Sequence, residues 1–168
     1  MPDKIKIAVS SCLLGEAVRY DGTDKYIKSI SELMSEYNLI SLCPEMAVGM
    51  GVPRPAIHLV DTGTDIQVKS IVDGNNMTKP LAEYAISVLE EHKDLCGYIF
   101  KKNSPSCGTK DVKVLNIEGQ YDRRGIGIYA NEIIKTLPLI PVIDETNFLD
   151  ESLRNEFLNK VNKYSKRY

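Results

Sequence analysis

The chain predicts an α/β fold: a mainly parallel sheet flanked by helices on both faces, a Rossmann-like three-layer sandwich formed as one domain over residues 1–168. Two observations carry this expectation. Short apolar, β-branched runs alternate along the chain with stretches whose apolar residues recur at helical spacing. No internal repeat, low-complexity tract or interdomain linker interrupts that alternation.

The elements follow in order. "IKIAV" (5–9) reads as the first strand. Residues 29–36 read as a short helix with Ile30, Leu33 and Met34 on one face, and Leu39–Leu42 as a second buried strand. The Pro/Gly-rich stretch "PEMAVGMGVPRPA" (44–56) reads as loop. "AIHLV" and "DIQVKSIV" suit a hairpin around residues 61–64, or a place on the sheet edge. Residues 75–92 read as a long helix, with Ala82, Ala85, Ile86 and Leu89 at helical spacing and Pro80 in the first turn. Cys96–Phe100 is a third buried strand, and Val112–Leu115 a weaker one. Residues 127–137 read as a helix, "LPLIPVI" as a fourth strand, and 146–164 as a closing helix with Leu149, Leu153, Phe157, Val161 and Tyr164 on one stripe.

Composition narrows the function classes. A hydrophobic content of 43% and a charged content of 26% suit a globular domain, and a net charge of −2 supplies no global field toward nucleic acid or anionic membrane, although a local basic patch stays open. The start reads as no signal peptide, and no apolar run is long enough to span a bilayer, so a cytoplasmic protein is expected. In that reducing setting four cysteines suggest metal ligands, catalytic thiols or core residues rather than disulfides.

Cys12, Cys43 and Cys107 each follow a predicted strand, in "VSSCLLG", "ISLCPEM" and "NSPSCGTK". In an open parallel sheet the carboxyl ends of the strands share one edge, where ligands bind. Three cysteines far apart in sequence can therefore meet. Cys96 starts a strand at the opposite edge and reads as a small buried hydrophobe. The neighbouring Pro and Gly let backbone wrap tightly around an inorganic group. Three thiolates on a four-iron cube would leave one iron open. Isolated reduced thiols remain the alternative, since no CxxC pair is present. Zinc is weaker still: His58 and His92 lack ligand spacing and read as surface or capping residues.

"VSSCLLGEAVRYDG", "CPEMAVGMGVPRP" and "KKNSPSCG" resemble, in order, the sequence blocks of the thiouracil desulfidase family, long treated as a domain of unknown function. "GVPRP", "SPSCG" and "LRNEFLNKV" look closest to the amino-terminal half of longer two-domain relatives implicated in removing sulfur from thiolated uridine, including in transfer RNA. The resemblance implies a [4Fe-4S] cluster held by Cys12, Cys43 and Cys107, with one iron not ligated by cysteine and free to take a thiocarbonyl sulfur. It also implies Glu45 and Ser104 as the catalytic carboxylate and hydroxyl.

The residues suit that chemistry. Replacing C=S by C=O asks for a thiophilic Lewis acid, an activated water and proton management. Glu45 lies two residues beyond Cys43, as general base on water. Ser104 lies on the loop of Cys107, to bond the base or relay a proton. An ordinary loop carboxylate and a turn-capping serine are the bland readings of the same residues. "RYDG" (19–22) reads as a turn or as pocket lining. Arg54, Lys101 and Lys102 read as solvated charges or as phosphate holders, and "DRRGIG" (122–127) as a turn or an anion-admitting helix start. The expected enzyme converts thiouracil or thiouridine to the oxo base with release of sulfide, without redox change. The alternative is a non-catalytic iron–sulfur or thiol binding or sensing module. The absence of an RNA-recognition signature favours a free base or nucleoside over thiolated transfer RNA.

Overall fold

The computed structural model describes residues 3–167. In chain order the elements are β1 (Lys6–Ser10), α1 (Lys28–Ser31), β2 (Asn38–Leu42), α2 (Pro44–Ala47), β3 (Ile57–Asp61), β4 (Ile66–Ser70), α3 (Thr78–Glu91), β5 (Leu95–Phe100), β6 (Val112–Leu115), β7 (Tyr121–Gly125), α4 (Ile128–Thr136), β8 (Val142–Asp144), α5 (Glu145–Leu149) and α6 (Glu151–Ser165).

β2, β1, β5 and β8 form, in that order, an all-parallel sheet. The chain steps outward from β1 to β2, then returns to the other side of β1 for β5. The space between β1 and β5 is thus the topological switch point at which open α/β sheets bind ligands, at their carboxyl edge. β5 is buried along its whole length, as a strand covered on both faces must be. On one face Tyr98 and Phe100 stack at 3.7 Å and meet Tyr129 of α4, with Tyr98 and Tyr129 joined by a 2.8 Å hydroxyl bond. On the other face Gly97 lies under α6, where a Cβ would sit 2.7 Å from Val161 Cγ2. This is the expected α/β architecture. Its helix ends are set locally: Asp144 caps α5 through Asn147 N–H, and Asp150 caps α6 through Leu153 N–H.

The remaining strands add something the alternation did not announce. β4, β3, β6 and β7 form a second, mixed sheet, in which β3 runs antiparallel to β4 and parallel to β6, and β6 antiparallel to β7. The hairpin of β3 and β4 is as expected, whereas β7 takes in residues 122–125 of "DRRGIG", which reads as a turn or an anion-admitting helix start. α3 bridges the two sheets, giving Leu81 to the apolar cluster of the second and Ala85 and Val88 to that of the first.

Other differences are local. The stretch 44–56 opens with the one-turn α2, because Pro44 presets helical φ at the first position. The helix expected over 29–36 divides into α1 and a 3-10 turn (Glu32–Ser35). In "LPLIPVI" pairing begins only at Val142, just beyond Pro141, which has no N–H to give a ladder. The closing helix is broken at Asp150, which is extended and caps the second segment. No helix among the described residues is long and apolar enough to cross a membrane.

Candidate active site

Three loops leave the carboxyl edge of the parallel sheet, and each carries a cysteine. β1 runs into a 3-10 turn (Ser11–Leu14) that holds Cys12 and is closed by Gly15 at φ 92°, a conformation open to glycine. The Lys25 and Ile27 amides tie this turn down by donating to Cys12 O and Leu13 O at 2.9 and 3.0 Å. Cys43 follows β2 directly and is the N-cap residue of α2. After β5, Ser104 Oγ accepts the Ser106 and Cys107 amides at 3.2 and 3.0 Å, while Gly108 N–H donates to Ser104 O at 2.8 Å. These bonds wind residues 104–108 into a tight turn that aims Cys107 inward.

The start of α4 is sewn onto this turn. Gly127, Ile128 and Ala130 donate their amides to the carbonyls of Gly108, Pro105 and Ser106 at 2.7, 3.0 and 3.0 Å. A Cβ on Gly127 would stand 2.5 Å from the Ser106 carbonyl. Gly127, the second glycine of "DRRGIG", therefore admits backbone rather than an anion, while residues 122–125 of that stretch lie in β7 rather than in a turn.

Cys12, Cys43 and Cys107 line one cavity of about 310 Å³, with Glu45, Arg54, Ser104 and Lys101 in the same wall. Cys96 lies at the other end of β5, with its Sγ 3.2 Å from Asp94 O. All four cysteines are unpaired. Burial pushes each thiol up: Cys12 to about 11, against the opposing pull of Lys101, and Cys43, Cys96 and Cys107 likewise above the ordinary range. Burial thus disfavours the free thiolate at all four positions. A bound metal deprotonates such thiols outright.

The donor set fits an iron–sulfur cluster: three soft thiols around one cavity, and no histidine in its lining. Among the described residues no group of three or more His, Cys, Asp or Glu side chains is gathered tightly enough for a single metal ion. A cluster distributes one thiolate to each iron, which calls for thiols spread around a cavity wall rather than pinched to a point.

Beside the thiols, Glu45 is held from both sides. Arg54 Nε lies 3.2 Å from Oε1 and Ser106 Oγ donates to Oε2 at 2.8 Å. Arg54 is itself buried, with further donations to Gly51 O at 2.7 Å and Val18 O at 2.9 Å. It is neither a solvated charge nor free for a phosphate, and its sequence reading is corrected accordingly. Lys101 is committed as well: its Nζ reaches Glu145 Oε1 at 2.7 Å and Lys102 O at 2.7 Å, while the Lys102 amide donates to Glu145 Oε2 at 2.6 Å. Arg19 does both things its sequence allows, closing a turn through Gly22 N–H to Arg19 O at 2.8 Å and lining the cavity with Tyr20.

Ser104 reaches Glu45 only through Ser106, 2.9 Å away. Since Ser104 Oγ accepts two amides and Ser106 donates to the carboxylate, the Ser104 proton points at Ser106, giving a chain Ser104–Ser106–Glu45. Sequence reasoning missed Ser106 and Glu145. "SPSCG" holds two serines with nothing to rank them, and Glu145 arrives just after β8, far along the chain.

The chain belongs to the 2-thiouracil desulfurase family, whose sequence profile matches residues 7–145, a span that takes in all three cysteine loops. Among particular proteins, the chain is similar to YbbK of Bacillus subtilis (strain 168), at 36% identity over an alignment of 110 residues that covers 61% of this chain and 73% of YbbK. It is also similar to the solved structure of TudS, a [4Fe-4S]-dependent thiouracil desulfidase. That match has a TM-score of 0.68 and 29% identity, and covers 92% of this chain and 99% of TudS.

Proposed function

We propose that the protein is a [4Fe-4S]-dependent desulfidase that converts the thiocarbonyl of thiouracil or thiouridine to a carbonyl, with release of sulfide and no net redox change. One observation carries the reading: three strand-end thiols, those of Cys12 and Cys107 buried and that of Cys43 half-buried, line a single cavity into whose wall Glu45 is fixed by Arg54 and Ser106. Family membership and the likeness to TudS support it. A reducing, cytoplasmic setting suits four free cysteines.

Cys12, Cys43 and Cys107 would hold the cluster. When bound, it supplies a soft iron without a cysteine ligand, a Lewis acid for a thiocarbonyl sulfur. Glu45 is the general base. Its two oxygens offer about four lone-pair sites, and Arg54 and Ser106 occupy one on each oxygen. A free lone pair takes a proton from water as the oxygen bonds to the thiocarbonyl carbon. The C–S bond then breaks and sulfur departs with the two protons of that water. Thiocarbonyl plus water thus gives carbonyl plus hydrogen sulfide. Ser106, with Ser104 behind it, keeps the carboxylate aimed.

Anaerobic cluster reconstitution followed by a thiouracil assay tests this. Uracil and sulfide should appear in equal amounts, and only with the cluster-loaded protein. A loaded protein that binds thiouracil and releases no sulfide would leave a binding or sensing module instead.

A further inference from the structure

The outward face of the second sheet is basic, and it borders the catalytic cavity. Strand alternation fixes the face. Ile57 and Leu59, Val68 and Ser70, and Val112 and Val114 are buried on β3, β4 and β6, and Gly125 of β7 sits against Val114 and Leu59. The alternate positions therefore point away from the core: His58 and Val60, Gln67 and Lys69, Lys113 and Leu115, and Tyr121 and Arg123. Register gathers the polar ones, pairing His58 with Lys69 and Lys113 with Arg123.

None of these outward positions is a carboxylate. Among the described residues no ion pair engages Lys69, Lys113 or Arg123. Arg124 at the bulge is by contrast neutralised by Asp61 and Asp122 at 2.7 and 2.8 Å. A chain with net charge −2 thus leaves three cations free on one face. Tyr121 is 51% exposed there, steadied by a 2.6 Å bond between its hydroxyl and His58 Nδ1.

The face is continuous with the site. A groove of about 480 Å³ runs past Lys113, Tyr121 and Arg123 to Asn103, Pro105 and Ile57, and those last three residues also line the catalytic cavity. We infer that this face docks a single-stranded polynucleotide whose thiolated pyrimidine enters the cavity, with phosphates on Lys69, Lys113 and Arg123 and a flanking base on Tyr121. Phosphodiester charge matches the free cations, and an exposed aromatic on a sheet is a stacking platform for a base. A basic peptide would need an acid-lined trough, and no carboxylate lines this groove. The inference rests on the desulfidase reading above and extends its substrate from a base to a base within a strand.

The test uses the cluster-loaded protein and a labelled oligouridylate of about a dozen nucleotides. Three neutralised phosphates give a slope of about −2 in log affinity against log salt, so affinity falls about 15- to 20-fold between about 50 and 200 mM salt. The triple variant Lys69→Ala, Lys113→Ala, Arg123→Ala should lose most of that slope. It should also turn over an oligonucleotide containing thiouridine at least about tenfold less efficiently, while free thiouracil is processed as before. Tyr121→Ser should weaken oligonucleotide binding roughly tenfold and Tyr121→Phe should not, since the phenyl ring keeps the stack. Undiminished turnover of the oligonucleotide by the triple variant would overturn the inference, as would equal competition by oligoglutamate. A wild-type protein inert toward free thiouracil would overturn the desulfidase reading, and the binding arm would still judge the face.

Discussion

Cys96 and Cys107 flank the same strand, β5, and share most of what is usually asked of a cysteine. Both are buried, at 3% and 5% exposure, both are unpaired, and burial pushes both thiols up. What separates them is the end of the strand they occupy. Cys96 sits at the amino end, with the carbonyl of Asp94 for company. Cys107 sits beyond the carboxyl end, beside the Ser106 hydroxyl at 3.7 Å, in a wall shared with Cys12, Cys43 and Glu45. Strand polarity, where burial and chemistry do not, places one thiol in the cavity wall and the other away from it, and on the proposed function only the first would hold the cluster.

The comparison can be broken outright by exchanging sulfur for oxygen at each end. Cys107→Ser should lose iron and activity together, to background. Cys96→Ser should keep both at a cost of about 1 kcal/mol in stability, as a buried hydroxyl replaces a small hydrophobe. Iron content and sulfide release on the two purified variants check this.

Next comes the division of labour within the carboxyl edge. Glu45→Ala should retain iron and lose about 10²–10⁴-fold in turnover, the usual contribution of a general base. Equal iron loss in Glu45→Ala and Cys43→Ser would make Glu45 structural. A smaller effect falls on its support: Ser106→Ala removes one charge-assisted hydrogen bond, so kcat should fall roughly tenfold with the cluster intact.

The smallest effects sharpen the contrast through two glycines. Gly97→Ala, under α6, should cost about 1–3 kcal/mol from overpacking against Val161 and Phe157. Its activity per iron should not change. Gly127→Ala meets the Ser106 carbonyl instead, so a similar loss of stability should come with a severalfold loss of activity per iron. Thermal unfolding and specific activity, measured together, separate the two.

Much of this edge was legible because its cause is local. "IKIAV" and "CGYIF" declare buried strands, and the cysteines sit in turns made by Gly15, Pro44 and Gly108, each with a short-range reason to be there. What stayed hidden depends on pairing across the chain. Arg54 looks like a loop cation until β2 and the stretch 51–56 bring it against Glu45. Glu145 belongs to the site only because β8 lies beside β5 and ends at the same edge. The second sheet was masked because β7 is charged: "YDRRG" buries little apart from Gly125, and its strand exists through pairing with β6. Net charge is silent for a similar reason, since a sum over the chain cannot register that Lys69, Lys113 and Arg123 share one face.

The central claim is that this edge carries out hydrolysis, with water activated at Glu45. Single-turnover desulfuration of thiouracil by the reconstituted protein in ¹⁸O-water, without added reductant, tests it most directly. Mass spectrometry of the uracil should find the new carbonyl oxygen labelled from water, one sulfide released per uracil, and the labelled product almost abolished in Glu45→Gln at unchanged iron content. Unlabelled uracil, or a requirement for reductant, would contradict it.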